Sequence, residues 1–119
     1  MNRSGLACAL LAACVAAGVQ AHAFLDHAEP RVGSVVKAAP AELKLWFTEE
    51  IEPAFSSVKV LDASSRRVDK GNAHVDSAEP SVVRISLPPL PAGAYTVEWR
   101  VVSVDTHVTS GNFTFQVRP

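Results

Sequence analysis

Residues 90–101 read LPAGAYTVEWRV, and this stretch decides the fold of the 119-residue chain. From Tyr95 onwards apolar and polar side chains alternate with a period of two, which is typical of a β-strand with one buried face. The segment before it is typical of a tyrosine corner, in which a tyrosine near a strand start bonds back to upstream backbone. The stretch therefore favours a β-sandwich.

The same alternation recurs on both sides of this stretch. Clear strands are predicted over 43–47, 83–87, 95–101 and 113–117, and weaker ones near 23–28, 57–61 and 66–69. Residues 110–112 predict a turn before the last strand. Trp46 and Trp99 are assigned to the core, and helix is limited to a turn or two near 50–56. The pattern predicts an all-β fold, an immunoglobulin-like Greek-key sandwich or barrel of about seven strands.

The first 21 residues have the parts of a secretory signal peptide, which is removed from the mature protein. One positive charge, Arg3, precedes an apolar run over 6–19 that is too short to span a bilayer. Small residues end the segment, as a signal peptidase requires. Cleavage after Ala21 would leave one secreted domain, residues 22–119.

Two other processing sites remain open. Residues 11–14 resemble a bacterial lipobox, which would make Cys14 a lipid anchor, although the apolar run before that cut is short. Cleavage after Ala23 also satisfies the small-residue rule. If cleavage follows Ala21, both Cys8 and Cys14 are removed, so the mature domain folds without a disulfide.

Charge and hydropathy exclude several classes of partner. The net charge is −1 for the whole chain and becomes −2 once Arg3 is removed. This leaves no basic field for nucleic acid and no polybasic patch for a membrane surface. No segment of the mature chain is apolar enough to span a membrane.

Three residues are candidate metal ligands. His22 would begin the mature chain, where its free α-amine and ring Nδ1 can close a chelate on one ion. Asp105 and His107 follow the strongest strand, and residues two apart in a strand point to the same side. We therefore expect His22, Asp105 and His107 to bind one metal ion together. His27 and His74 are expected to be ordinary solvated histidines.

The donor atoms favour one metal. Two imidazole nitrogens, an amine and a carboxylate oxygen suit tetragonal Cu(II). Zn(II) can take the same donors in a tetrahedron, but Cu(II) binds more tightly at most sites of this composition. Cu(I) prefers sulfur, and the single methionine, Met1, lies in the signal peptide. The sequence thus predicts one Cu(II) ion per chain.

The mature chain is similar to the CopC family of periplasmic copper-resistance proteins. The similarity rests on four stretches: HAFLDHAEPRVGS (22–34), LWFTE (45–49), LPAGAYTVEWRVVSVDTH (90–107) and GNFTFQV (111–117). The resemblance implies an immunoglobulin-like β-fold in the periplasm and the Cu(II) ligands His22, Asp105 and His107. It also implies that Glu49 supports the amine or a ring N–H, and that an inner-membrane copper protein of CopD type is the partner. The chain departs from two-site members by lacking their methionine-rich Cu(I) loop.

Three functions are weighed. We expect a periplasmic protein, not an enzyme, that sequesters or carries Cu(II) for copper resistance or homeostasis. A histidine brace on a β-sandwich also resembles the lytic polysaccharide monooxygenases, but a chain this short leaves no room for their extended substrate surface. A metal-free immunoglobulin-like interaction domain would need neither a free His22 nor the Asp105–His107 pair. The sequence leaves open whether copper is imported, exported or only sequestered.

Overall fold

The computed structural model describes residues 24–119, and these form two four-stranded β-sheets. The strands are β1 (Leu25–Glu29), β2 (Val35–Val36), β3 (Glu42–Phe47), β4 (Ser57–Leu61), β5 (His74–Val75), β6 (Val82–Ser86), β7 (Gly93–Val102) and β8 (Val108–Val117). The strand orders are β1-β3-β6-β5 and β2-β8-β7-β4. Among these strands, β5–β6 and β7–β8 are the consecutive pairs that stay in one sheet, and the other connections cross between sheets. The predicted all-β sandwich is confirmed, with eight strands instead of about seven.

The core lies between the two sheets and follows the period-two pattern of the sequence. The inward residues of β3, β7 and β8 are almost fully buried: Leu43, Leu45, Phe47, Tyr95, Val97, Val101, Phe113, Phe115 and Val117. Each large apolar side chain buried in this way contributes about 1.5–3 kcal/mol. The Tyr95 hydroxyl donates a hydrogen bond of 2.6 Å to the carbonyl oxygen of Pro91. The predicted tyrosine corner is therefore confirmed, and it holds the entry into β7.

The weaker strand predictions have mixed outcomes. Strands β1 and β4 lie where they were expected, and the expected turn of helix is the 3-10 turn Pro53–Phe55. Residues 66–69 do not form a strand, since this segment contributes one isolated bridge between Arg67 and Leu61. Strands β2 and β5 were not predicted, because two residues are too few to establish an alternation.

The predicted turn at residues 110–112 is wrong, because β8 runs without interruption through them. Gly111 lies opposite Trp99 on the neighbouring strand. A Cβ added at Gly111 would come within 2.6 Å of the Trp99 Cζ2 atom. The glycine therefore makes room for an indole laid across the strand, and does not mark a turn.

Trp46 is not a core residue, contrary to the prediction. It alternates with buried Leu45 and Phe47, so its ring lies on the outer face of β3. There it stacks on His27, with ring centroids 4.3 Å apart and planes inclined by 12°. Trp99, in contrast, is half-buried and packs edge-to-face against Phe47, as expected for a residue at the core boundary.

No helix among residues 24–119 has the length and apolar character needed to cross a membrane.

Candidate metal centre

Asp105 and His107 lie in the loop of the β7–β8 hairpin, which spans residues 103–107. The sequence argument assumed extended backbone here, and that assumption is wrong. Thr106 has a φ of 72°, in the left-handed region, and its backbone N–H donates to the carbonyl oxygen of Ser103 at 2.8 Å. The N–H of Ser103 donates to the carbonyl oxygen of His107 at 2.9 Å. The loop is thus a tight turn closed by backbone hydrogen bonds.

The turn nevertheless brings the two predicted ligands together. His107 Nδ1 lies 3.3 Å from Asp105 Oδ2, and both side chains are about half exposed. The second carboxylate oxygen, Oδ1, accepts a hydrogen bond from the hydroxyl of Ser103. The left-handed conformation of Thr106 folds the chain back between them, so proximity comes from the turn and not from strand alternation.

The surroundings of Asp105 favour its ionised form. The hydrogen bond from the Ser103 hydroxyl is the largest cause of a pKa below the ordinary value of aspartate, and contacts with His107 lower this pKa further. A carboxyl group must be deprotonated to bind a metal ion. Asp105 is therefore a carboxylate at neutral pH, with Oδ2 directed towards an imidazole nitrogen.

The beginning of the described chain lies at the same end of the sandwich. The N–H of Phe24 donates to Thr48 Oγ1, and the N–H of Thr48 donates to the carbonyl oxygen of Phe24, both at 2.9 Å. Three residues further along, Ile51 forms a bridge with Ser103 at the base of the turn. Residues 48–51 therefore connect the chain start directly to the loop that holds the ligand pair.

His22 itself lies outside the described residues, as does the predicted signal peptide. It precedes Phe24 by two residues, and two extended residues reach at most about 7 Å. Within residues 24–119, no group of three or more histidine, cysteine, aspartate or glutamate side chains is arranged to hold a metal ion. The described part of the site consists of the pair Asp105 and His107.

Glu49 follows Thr48 directly and is exposed at this end of the sandwich. Its side chain makes no hydrogen bond or ion pair with the residues that the structure describes. The expected support of an amine or ring N–H by Glu49 stays a prediction, because it concerns an atom of His22.

The remaining histidines have other partners. His27 Nδ1 lies 2.7 Å from a carboxylate oxygen of Asp26, and the ring stacks on Trp46. His74 Nδ1 lies 2.9 Å from the carbonyl oxygen of Asn72. Both side chains are exposed, as predicted, although His74 begins a short strand instead of lying in a loop.

Sequence reasoning missed one residue of the site. Ser103 is only 1% exposed and contacts both predicted ligands. The available signal was its position. Ser103 lies an even number of residues after Val97 and Val101, whose side chains point into the core, so its own side chain is expected to point inwards as well. A polar side chain in the buried phase of a strand indicates a specific hydrogen-bond partner.

Comparison with known proteins extends these findings to the whole domain. A family model described as "CopC domain" matches residues 25–118. The crystal structure of CopC from Methylosinus trichosporium OB3b has a TM-score of 0.77 and 36% identity, covering 82% of this chain and 95% of that one.

Two further relatives have names that state a role. PcoC, a methionine-rich copper resistance protein from Escherichia coli, has a TM-score of 0.70 and 37% identity, covering 82% of this chain and all of that one. Copper transport protein CutJ of Bacillus subtilis (strain 168) is 32% identical over 98 residues, which are 82% of this chain but 18% of CutJ. Neither name states an enzymatic activity, in agreement with the prediction that the protein is not an enzyme. Given the domain match across residues 25–118 and these similarities in sequence and fold, the chain belongs to the CopC family.

Proposed function

We propose that the mature protein is a periplasmic Cu(II)-binding protein that sequesters or carries one copper ion, held by His22, Asp105 and His107. Relatives with names of copper resistance and copper transport support a role in copper handling. The observation that carries the proposal is the Asp105–His107 pair at the end of the sandwich where the described chain begins.

The spacing of the pair supports a metal ion between them. Metal–ligand bonds of about 2.1 Å at a right angle place neighbouring donors about 3.0 Å apart. Asp105 Oδ2 and His107 Nδ1 are 3.3 Å apart before any metal is added. Small movements of exposed side chains therefore suffice to make both of them neighbouring ligands of one ion.

His22 would supply the remaining donors through its α-amine and ring Nδ1. The resulting set of nitrogens and one oxygen is the kind that tetragonal Cu(II) prefers. Sulfur is missing, because the single methionine is Met1 and both cysteines precede residue 15. PcoC, in contrast, is described as methionine-rich. We therefore propose Cu(II) as the ion bound, with Cu(I) bound much more weakly.

The proposal requires cleavage after Ala21, which makes residues 1–21 a signal peptide and residues 22–119 the copper-binding domain. The family match begins at residue 25, which is consistent with that division. Mass spectrometry of the exported protein should give an N-terminal His22. A lipidated Cys14 or a chain beginning at Phe24 would contradict both the periplasmic form and the site.

Glu49 is proposed to accept a hydrogen bond from the amine or a ring N–H of His22, since it is exposed beside Thr48, which pairs with Phe24. An inner-membrane copper protein of CopD type is proposed to receive or supply the ion. In support, the segment similar to this chain is only 18% of a copper transport protein in Bacillus subtilis, where it is joined to a much longer chain.

The decisive experiment adds one residue ahead of His22. The extension converts the amine into an amide and breaks the chelate, while both imidazoles and Asp105 remain. We expect the Cu(II) affinity to fall by several orders of magnitude, at about 1.4 kcal/mol per tenfold, with an unchanged unfolding midpoint. His27→Ala serves as the matched control, because it removes an exposed imidazole with other partners. Equal Cu(II) affinity of the extended and native proteins would refute the proposed site.

A further inference from the structure

Ser103 lies directly beneath the proposed ligand pair. Its exposed fraction is only 1%, so its hydroxyl is shielded from solvent. Its hydroxyl donates to Asp105 Oδ1 and its oxygen lies 3.3 Å from the carbonyl oxygen of His107. Its own backbone N–H donates to that same carbonyl at 2.9 Å. One buried serine thus touches the residues on both sides of Thr106.

The position of Ser103 is held from three directions. Its backbone forms the bridge with Ile51, its carbonyl oxygen accepts from the N–H of Thr106, and the next residue, Val104, donates to the carbonyl oxygen of Glu50 at 3.1 Å. The hydroxyl therefore projects from a part of the backbone that is anchored to the neighbouring segment. A buried hydroxyl must find a partner to offset its desolvation, and here the partner is the carboxylate of Asp105.

We propose that Ser103 is a positioning residue of the copper site, which occupies Oδ1 of Asp105 so that Oδ2, the oxygen facing His107, is the only one left for the metal. This inference rests on the proposed function. Asp105 then binds the metal through one oxygen, and the hydrogen bond from Ser103 sets the orientation of the carboxylate before the ion binds. Without the hydroxyl, the half-exposed carboxylate can rotate and offer either oxygen or both, so the bound ion would find more than one geometry.

The chain offers a matched control at the same end of the sandwich. The hydroxyl of Ser56 donates to the carbonyl oxygen of Glu52 at 2.8 Å and accepts from the N–H of Val102 at 3.1 Å. Ser56 thus supports the residue that precedes Ser103 through backbone contacts alone. Ser56→Ala and Ser103→Ala each remove one partly or fully buried hydroxyl, but only Ser103→Ala removes a contact with a proposed ligand.

The experiment compares native protein, Ser103→Ala and Ser56→Ala, each with the native N-terminus. Competition with a chelator of known strength gives the Cu(II) affinity, electron paramagnetic resonance gives the ligand geometry, and urea unfolding of the metal-free proteins gives stability. Ser103→Ala should weaken Cu(II) binding about tenfold or more and change the resonance spectrum into a mixture of species. Ser56→Ala should lower stability but keep the native affinity and a single native spectrum.

The outcomes separate this inference from the proposed function. If the native protein binds Cu(II) in a manner sensitive to an extension ahead of His22, and Ser103→Ala keeps the native affinity and spectrum, the positioning role is wrong and the proposed function stands. If both serine variants change affinity and spectrum equally, Ser103 acts through stability of the turn alone and the inference is overturned. If the native protein does not bind Cu(II), the proposed function is wrong, and the positioning role that rests on it is overturned as well.

Discussion

Replacing Gly111 with alanine should destabilise the sandwich by forcing the indole of Trp99 out of position. The added Cβ would lie 2.6, 3.0 and 3.3 Å from the Cζ2, Cε2 and Cη2 atoms of that ring. Carbon atoms in contact are ordinarily about 3.5–4.0 Å apart, so the ring would have to move by about 1 Å. It cannot simply move inwards, because its other neighbour is buried Phe47, packed edge-to-face with a centroid distance of 5.2 Å.

The expected cost follows from overpacking. Forcing extra methyl volume into a packed contact costs about 1–3 kcal/mol. If no ring lay beside position 111, replacing glycine with alanine should instead stabilise the protein by about 0.4–1 kcal/mol, because alanine restricts the unfolded chain. The sign of the effect therefore depends on Trp99. Urea unfolding of the metal-free protein, followed by circular dichroism so that the signal does not depend on the moved indole, measures it.

A double-mutant cycle tests the cause. In a Trp99→Leu background the alanine should no longer destabilise, because the contact with the ring that causes the cost is absent. An equal loss of stability in both backgrounds would refute the reasoning, since it would locate the cost in the backbone of β8. No loss in the native background would show that the ring moves freely, against the packing described above.

Three further predictions concern the stability of the fold away from the proposed copper site. Tyr95→Phe removes the bond to the carbonyl oxygen of Pro91 and should lower stability by about 1 kcal/mol, measured by thermal unfolding. Asp69→Asn should cost about 1–3 kcal/mol in urea unfolding, because Oδ2 accepts from Arg67 and the N–H of Val60 while Oδ1 accepts from the N–H of Gly71, and an amide has an acceptor oxygen on only one of these two sides. Burial opposes ionisation of Asp69, but the bonds from Arg67 and Val60 outweigh it and hold its pKa below the ordinary value. That stabilisation is present above the unfolded-state pKa of about 3.9 and is lost as the pH falls through the lower folded-state pKa. As the pH falls, the free energy of unfolding should therefore decrease more steeply for the native protein than for Asp69→Asn. Parallel curves for the two proteins would contradict this prediction.

The sequence alone determined which face of each main strand is buried. Period two places Leu43, Leu45 and Phe47 in the core without knowledge of their partners, because alternation is a property of one strand. The tyrosine corner is also local, since Tyr95 and Pro91 are four residues apart. The residues at 22, 105 and 107, together with the family resemblance, were sufficient to propose all three ligands, of which the described part of the chain contains Asp105 and His107.

The tertiary structure decided everything that depends on register and on contacts across the chain. Gly111 resembles a turn residue in the sequence, and only the pairing of β8 with β7 places it under the Trp99 ring. The left-handed Thr106 replaces the extended geometry assumed for the ligand pair. Ser103 became part of the site only once its burial and its bond to Asp105 were known. The physical reason is common to all three: a residue's type restricts its own backbone and burial, whereas its neighbours across the sheet are set by how the whole hairpin is aligned.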